Sequence, residues 1–476
     1  MRCRFFLGSV CVGVCTLLVD DVRPTTLEQA LVQAYMKSPE WAAAIANKKA
    51  KDEAALGHAY SRWQPNITAQ YGVTTERHDI VNEAFPNTRL AQTTENNAKT
   101  QRNNISVELQ QNLFDGFSTT NSISAAERTV AAARAELTAE EQRFLQRVIA
   151  AYLAVWEAYQ HLSIAKKQEA NLASDLHAAE KKFDVGAGTR IEVAAAKAQH
   201  AEATYRCASA QATLEAALAQ FEAVACLKSD EHVTLPPIPK NLPKSLEELI
   251  RLAQRSYPEL RSAQEKALAT RDTVVSTRGG LLPRVDLRVS AYRNSTAARD
   301  RHHELVSSYN NDSESNGYSS SITVSVPLLA NGSGGNIYSA SRRANQEALA
   351  AEMVLKKVML DLKAECIRTW NNFKAAEAQL QQSKMAVESA EIAANGVRQA
   401  AKYGLKSQTD VLYYEGKLLD ARNQAVKVRK DYVSMAYVLL ALMGRLTASG
   451  LHLKVARYNP DENETRARWV PPFVME

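Results

Sequence analysis

Nowhere in its 476 residues does the chain carry a run long and apolar enough to cross a bilayer as a helix. The longest apolar run, Phe5 to Val19, falls short of the roughly 20 residues such a helix needs. A polytopic helical membrane protein is thereby excluded, and any membrane span must be made of strands. Cysteine is scarce. Of the six, Cys3, Cys11 and Cys15 fall in the first apolar stretch, and Cys207, Cys226 and Cys366 are odd in number and far apart, so neither a disulfide framework nor a zinc site follows. Charge of one sign is missing too: 58 Lys and Arg stand against 52 Asp and Glu, dispersed along the chain, and a net +6 is no footprint of a nucleic-acid groove. Aromatic residues make up only 7%, while 45% hydrophobic and 23% charged residues suit a globular or long-helical chain and exclude a disordered or collagenous one.

Catalytic signatures are also lacking. His303-Glu304 opens like a zinc-protease motif, but Ser307 stands where the second histidine must be. His302 and His303 read as solvated loop residues. Gly332-Ser333-Gly334-Gly335 lacks the lysine of a phosphate loop and, with Asn331, reads better as a strand-to-helix turn. No nucleophile elbow or paired carboxylate setting occurs, so the chain reads as a non-enzyme with no cofactor and no metal.

Arg2 and Arg4 precede the Phe5–Val19 stretch, and Asp20 and Asp21 follow it, the pattern of a secretory signal peptide over residues 1–22. No small-x-small triplet marks the cleavage point. The valines before Cys11 and Cys15 argue against lipid attachment.

Beyond that segment the chain is written twice. Leu27-Glu28-Gln29-Ala30-Leu31 matches Leu246-Glu247-Glu248-Leu249-Ile250, and Pro39 matches Pro258 at an offset of 219 (258 − 39). Pro65 pairs with Pro283, Gly116 with Gly332 and Gly186 with Gly404, at offsets falling to 216 (332 − 116). The expected organisation is a first repeat over 23–235, a Pro-rich linker over 236–244, a second repeat over 245–446 and a C-terminal tail over 447–476.

Each copy opens with a helical segment, Thr26–Trp63 or Ser245–Arg278, that ends at a proline. Short period-two stretches follow, the mark of strands with one apolar and one polar face. Ile67, Ala69, Tyr71 and Val73, then Ile105, Val107 and Leu109, alternate with polar residues; the second copy offers Val285, Leu287 and Val289, then Ile322, Val324 and Val326. The polar segments between, Thr74–Arg102 and Arg293–Tyr318, are expected as loops with exposed tips. Phe117–Val185 and Ile337–Asn395 contain no Gly or Pro, so each is expected as one helix on the order of 100 Å long. Return helices, Arg190–Lys228 and Gln408–Gly444, follow glycine turns. The stripe Phe144, Val148, Tyr152, Val155, Tyr159 and Leu162 reads as helix packing.

Four strands with an apolar face leave open edges and an apolar surface. Lipid answers the second and closure the first, yet four strands are fewer than the roughly eight of the smallest membrane barrels, so several chains must contribute to one barrel.

The order of elements, the Pro-Glu turns at Leu27–Glu40 and Leu246–Glu259, the strand end Gln111-Asn112-Leu113-Phe114-Asp115-Gly116, and the block Phe183-Asp184-Val185-Gly186-Ala187-Gly188-Thr189-Arg190-Ile191-Glu192-Val193 together resemble the TolC-like outer-membrane channels of Gram-negative secretion and efflux systems. The resemblance implies a mainly α fold with a small β part: a homotrimer whose 12-stranded outer-membrane β-barrel, four strands per chain, continues into a long periplasmic α-helical barrel. It further implies an exit duct, a passive conduit opened by a periplasmic adaptor and an inner-membrane ABC or proton-driven pump. The tip pattern looks most like the type I protein secretion branch. The apolar strand residues above, Ile67 to Val326, would face outer-membrane lipid. Gly186, Gly188, Thr189 and Glu192 in the first hairpin tip, with Gly404 and Ser407 in the second, would dock the adaptor. Lys406 and Asp410 match charged residues that help close the periplasmic mouth, with Tyr413 where a second acid can occur and Ala401 where an aromatic is usual. Both Ser407-x-x-Asp410 and Thr189-x-x-Glu192 also have capping-box spacing, and Lys406 precedes Asp410 by the four residues of an ordinary helical ion pair. The competing class is a periplasmic coiled-coil structural or adaptor protein, which accounts for the helices but leaves the strands and the duplication without a purpose.

Overall fold

The computed structural model describes residues 26–84, 92–228, 233–239, 241–302, 308–328 and 335–468. The signal segment 1–22, the His303–Ser307 motif and most of the Gly332 turn lie outside these residues.

Proline dictates where each repeat begins to bend. Pro39 and Pro258 lack an N–H and disfavour helical backbone in the residue before them, and Ser38 (φ −68°, ψ 123°) and Tyr257 (φ −69°, ψ 120°) are both extended. Each leading helix is therefore not continuous, as expected from Thr26–Trp63 and Ser245–Arg278, but broken. In the first repeat α1 (Leu27–Lys37) and α2 (Pro39–Asp52) lead through a π-helical turn, Glu53–Gly57, into α3 (His58–Ser61). In the second, α6 (Leu246–Ser256) leads to α7 (Pro258–Gly279). The long helices α4 (Ser118–Asp184, 67 residues) and α8 (Gly335–Lys402, 68 residues) each rise about 100 Å. Helix α8 runs past its expected end through Gly396, around which there is open space. Return helices α5 (Arg190–Ala225) and α9 (Gln408–Leu442) pack back against α4 and α8 respectively. Helix α7 packs on both α4 and α8, so the two repeats interlock.

The core sits midway along the long helices, where the leading and return helices meet them. Phe144, Val148, Tyr152, Val155 and Leu162 are buried with Leu214, Phe221, Leu249, Leu260 and Leu439. Trp41 stacks on Phe144 at 6.3 Å and Phe221 meets Tyr152 edge-on at 6.1 Å. The apolar stripe read from the sequence is thus helix packing, with Tyr159 at its margin.

The described part of the tail expected over 447–476 ends in a helix. Its helix α10 (Pro460–Arg468) closes over α2. There Lys48 bonds Asp52 at 2.6 Å and Glu464 at 3.1 Å, Asn463 donates to Asp52 at 2.9 Å, and Arg134 pairs with Asp461 and Glu464.

All four strands form one antiparallel sheet in sequence order: β1 (Asn66–Ala84), β2 (Gln92–Phe114), β3 (Arg284–His302) and β4 (Ser308–Ser325). The segments expected as loops, Thr74–Arg102 and Arg293–Tyr318, are mostly paired strand. Their residues are polar on both faces, so the alternation that marks a strand vanishes although the ladder continues. Val326 lies just beyond β4, the one member of the apolar strand set that is outside a strand.

Candidate functional site

Two regions bear on function: the sheet at one end of the molecule and the helical hairpin tips at the other. In the sheet, directly opposed residues share a face, and Ile67, Leu109, Val289 and Ser320 lie in one row. Tyr71, Val73, Ile105, Val107, Val285, Leu287, Ile322 and Val324 all fall on that same face. On the other face Arg288 bonds Glu108 at 2.8 Å, Ser290 meets Ser319 at 2.9 Å, and Ser106 and Thr323 are turned the same way. The sheet is thus apolar on one side and polar on the other.

The apolar band is not level with the ladder. In β1 it reaches Val73, which stands opposite Asn103 and then Ser295, whereas in β3 it ends at Ala291 and in β4 at Tyr318, opposite Ala291. The band therefore drifts four residues (295 − 291) toward the helices across three strand-to-strand steps. With about 3.3 Å per residue and about 4.8 Å between strands, a level band implies strands tilted about 40°. That is the tilt of a closed membrane barrel.

Where the sheet meets the helices, Gly116 (φ 66°) and Gly279 cross so closely that a Cβ on Gly116 would sit 2.3 Å from the Gly279 carbonyl oxygen. The following turn is held by Asp115, which accepts from the Thr119 backbone N–H at 2.9 Å and from the Thr119 hydroxyl.

The two hairpin tips are built alike. Helix α4 ends at Gly186 (φ 75°), with the Ala187 N–H donating to the Lys182 carbonyl at 2.8 Å; α8 ends at Gly404 (φ 73°), with Leu405 donating to Ala400 at 3.0 Å. Both are glycine stops with a six-residue closing bond. Gly188 has no such conformational need, but a Cβ there would press 3.1 Å from the Phe183 nitrogen. The return helices then start on capping boxes. Thr189 accepts from the Glu192 N–H at 3.2 Å while Glu192 accepts from the Thr189 N–H at 3.1 Å, and Ser407 and Asp410 repeat this at 3.1 Å in both directions. The Ser407 bonds, side chain first and then backbone, and the nearby positive charge of Lys406 hold the Asp410 carboxyl below its usual range. Lys406 precedes the cap and lies outside α9, so the helical ion-pair reading does not apply. Tyr413 is exposed one turn further on, edge-on to Tyr414 at 5.4 Å with Lys417 over its ring.

A cluster the sequence did not reveal lies behind the tips. Arg398 on α8 grips Glu415 on α9 with two nitrogens, Nε at 3.1 Å, and Glu415 is buried. Asp175 of α4 faces this pair. Burial raises its pKa, the Glu415 charge adds to the rise, and Arg398 opposes it. Arg398 and Glu415 face each other across the second hairpin while Asp175 comes from the first repeat, so no spacing rule connects the three.

An open-edged sheet with a tilted apolar band, joined to helices about 100 Å long in two matched copies, is a combination with few homes. Residues 30–225 and 249–445 match the Outer membrane efflux protein family. The chain belongs to this family. Relatives include the outer membrane efflux protein BepC of Brucella suis, 28% identical over 92% of this chain and 89% of that one. Alkaline protease secretion protein AprF of Pseudomonas aeruginosa is 24% identical over 69% of this chain and 67% of its own length. Among solved structures, the outer-membrane channel OprN superposes with a TM-score of 0.70 at 19% identity, covering 88% of this chain and 89% of that one. The CmeC outer membrane channel of Campylobacter jejuni gives 0.70 at 15% identity, over 93% and 89%. The two matched segments reproduce the internal repeat, and this outer-membrane channel family displaces the coiled-coil adaptor reading.

Proposed function

We propose that three copies of this outer-membrane efflux family protein close one 12-stranded barrel and one helical tunnel. The assembly serves as the outer-membrane exit duct of a tripartite export system, either type I protein secretion or small-molecule efflux. The drifting apolar band supports this reading most directly: a four-stranded sheet with both edges free needs partners, and its tilt is already that of a barrel. The edge strands β4 and β1 of neighbouring copies supply the missing pairs. In this arrangement the apolar set from Ile67 to Val324 meets lipid. The hairpin tips, Gly186 to Glu192 and Gly404 to Ser407, project into the periplasm as the docking surface for an adaptor that couples the duct to an inner-membrane pump. Lys406, Asp410 and Tyr413 stand at the periplasmic mouth. Three ionised Asp410 carboxylates near the axis would concentrate cations there.

Single-channel recording of the purified protein in planar bilayers tests this. Stepwise conductance with cation preference is expected, the preference falling in Asp410→Asn and the conductance rising in Lys406→Ala. Asparagine keeps a capping acceptor and removes only the charge. A soluble monomer without conductance would refute the duct, whereas unaltered selectivity and conductance in both variants would remove these residues from the gate.

A further inference from the structure

Beyond the apolar band the outward face of the sheet changes chemistry. Arg77, Lys99 and Arg299 lie directly opposite one another on β1, β2 and β3, on the face that carries Tyr71, Ile105 and Val289. Like charges opposed across strands destabilise a sheet. The flanking arginines find relief, Arg77 on Asp79 at 3.2 Å and Arg299 on Asp312 at 3.0 Å. Lys99, between two guanidinium-bearing neighbours, has no carboxylate partner among the described residues. Three cations against two carboxylates leave each copy with a surplus positive charge held at its centre.

The height of the row decides what it meets. Arg77 is four residues beyond the band in β1 (77 − 73), Lys99 six beyond it in β2 (105 − 99) and Arg299 eight beyond it in β3 (299 − 291). At about 3.3 Å per residue and about 40° of tilt Arg77 stands about 10 Å above the lipid boundary, and each opposed neighbour about 3 Å higher than the last, so the row spans about 10 to 16 Å. That exceeds the depth of a simple phosphodiester head group and fits a head group of several sugars with acidic substituents at successive levels.

We infer that Arg77, Lys99 and Arg299 form a docking site for an acidic, phosphorylated glycolipid of the outer leaflet, whose anionic groups resolve the like-charge row. The inference rests on the barrel reading, since it requires this face to point away from the lumen. An anion seated between Lys99 and its neighbours would replace repulsion by charge-assisted hydrogen bonds.

Native mass spectrometry of the detergent-solubilised full-length protein tests it, with a bisphosphorylated glycolipid and its dephosphorylated form as probes. The phosphorylated form is expected to bind and the dephosphorylated form to bind far less. Lys99→Gln should weaken binding about five-fold, the scale of one cation at an anionic surface, and Arg77→Gln with Lys99→Gln and Arg299→Gln more. Arg102→Gln, opposite Thr74 and Thr296 on the lumen side of β2, should leave it unchanged. Equal binding of the two glycolipids, unchanged binding by the triple variant, or an equal loss in Arg102→Gln would overturn the site. Conductance recorded on the same preparations separates the two ideas: a conducting wild type without phosphate-dependent binding defeats the glycolipid site alone, and a wild type that does not conduct defeats the duct on which it rests.

Discussion

At the scale of single residues the two repeats can be read against each other. Both return helices end in a left-handed residue, Cys226 (φ 51°) after α5 and Gly444 (φ 69°) after α9. Left-handed backbone costs a residue with a Cβ about 1–2 kcal/mol. Cys226→Gly is therefore expected to stabilise the folded chain by up to about 1 kcal/mol once the unfolded chain's added freedom is counted, and so to raise the heat-dissociation temperature of the assembled protein. Gly444→Ala should do the opposite and more strongly, because its Cβ would sit 2.3 Å from the Ser256 carbonyl oxygen. Gel migration after graded heating reads both. Cys226 stands at the repeat position of Gly444 (444 − 226 = 218), so the missing glycine is legible in the sequence; the contact that forbids a side chain at Gly444 is not, since Ser256 is brought there by folding.

At the scale of elements, what the sequence disclosed followed the strength of its periodicity. The long helices were legible because nothing in Phe117–Val185 or Ile337–Asn395 interrupts a helix. The outer halves of the strands were not, because Thr74–Ala84 and Arg293–His302 carry no period-two apolar pattern. Backbone pairing with a neighbour carries them instead. The capping boxes at Thr189 and Ser407 were legible from spacing alone, whereas the Asp175, Arg398 and Glu415 junction required three helices to converge. That junction has a pH dependence. Asp175 has a pKa raised above its ordinary 3.8, so the folded state holds its proton more tightly than the unfolded chain does. Its contribution is fully present below 3.8 and is lost as pH rises through the raised value. Asp175→Asn should therefore increase resistance to thermal unfolding at pH 7 and change nothing at pH 3. A gain of equal size at both values would trace the effect to packing rather than charge.

At the scale of the whole molecule, the sheet is incomplete in one chain and its apolar face carries the consequence. Val107 sits in the apolar band, paired with Ala69 on one side and Ala291 on the other. In the proposed barrel Val107→Arg places a charge at mid-bilayer depth and should cost roughly 2–4 kcal/mol, read as less assembled protein in outer-membrane fractions. Ser106→Arg, one residue along on the polar face, should be tolerated far better. Equal losses would mean the two faces are assigned the wrong way round.

Duplication within the chain has a further consequence for whatever meets the periplasmic end. A ring of three copies presents six hairpin tips with nearly the same backbone, each stopped by a glycine and restarted by a capping box, so its outline is close to six-fold. Its chemistry is only three-fold: one tip carries Thr189, Arg190 and Glu192, the other Lys406, Ser407 and Asp410. A partner ring of six identical subunits would find two kinds of socket in alternation, and half of its subunits would always be seated differently from the rest.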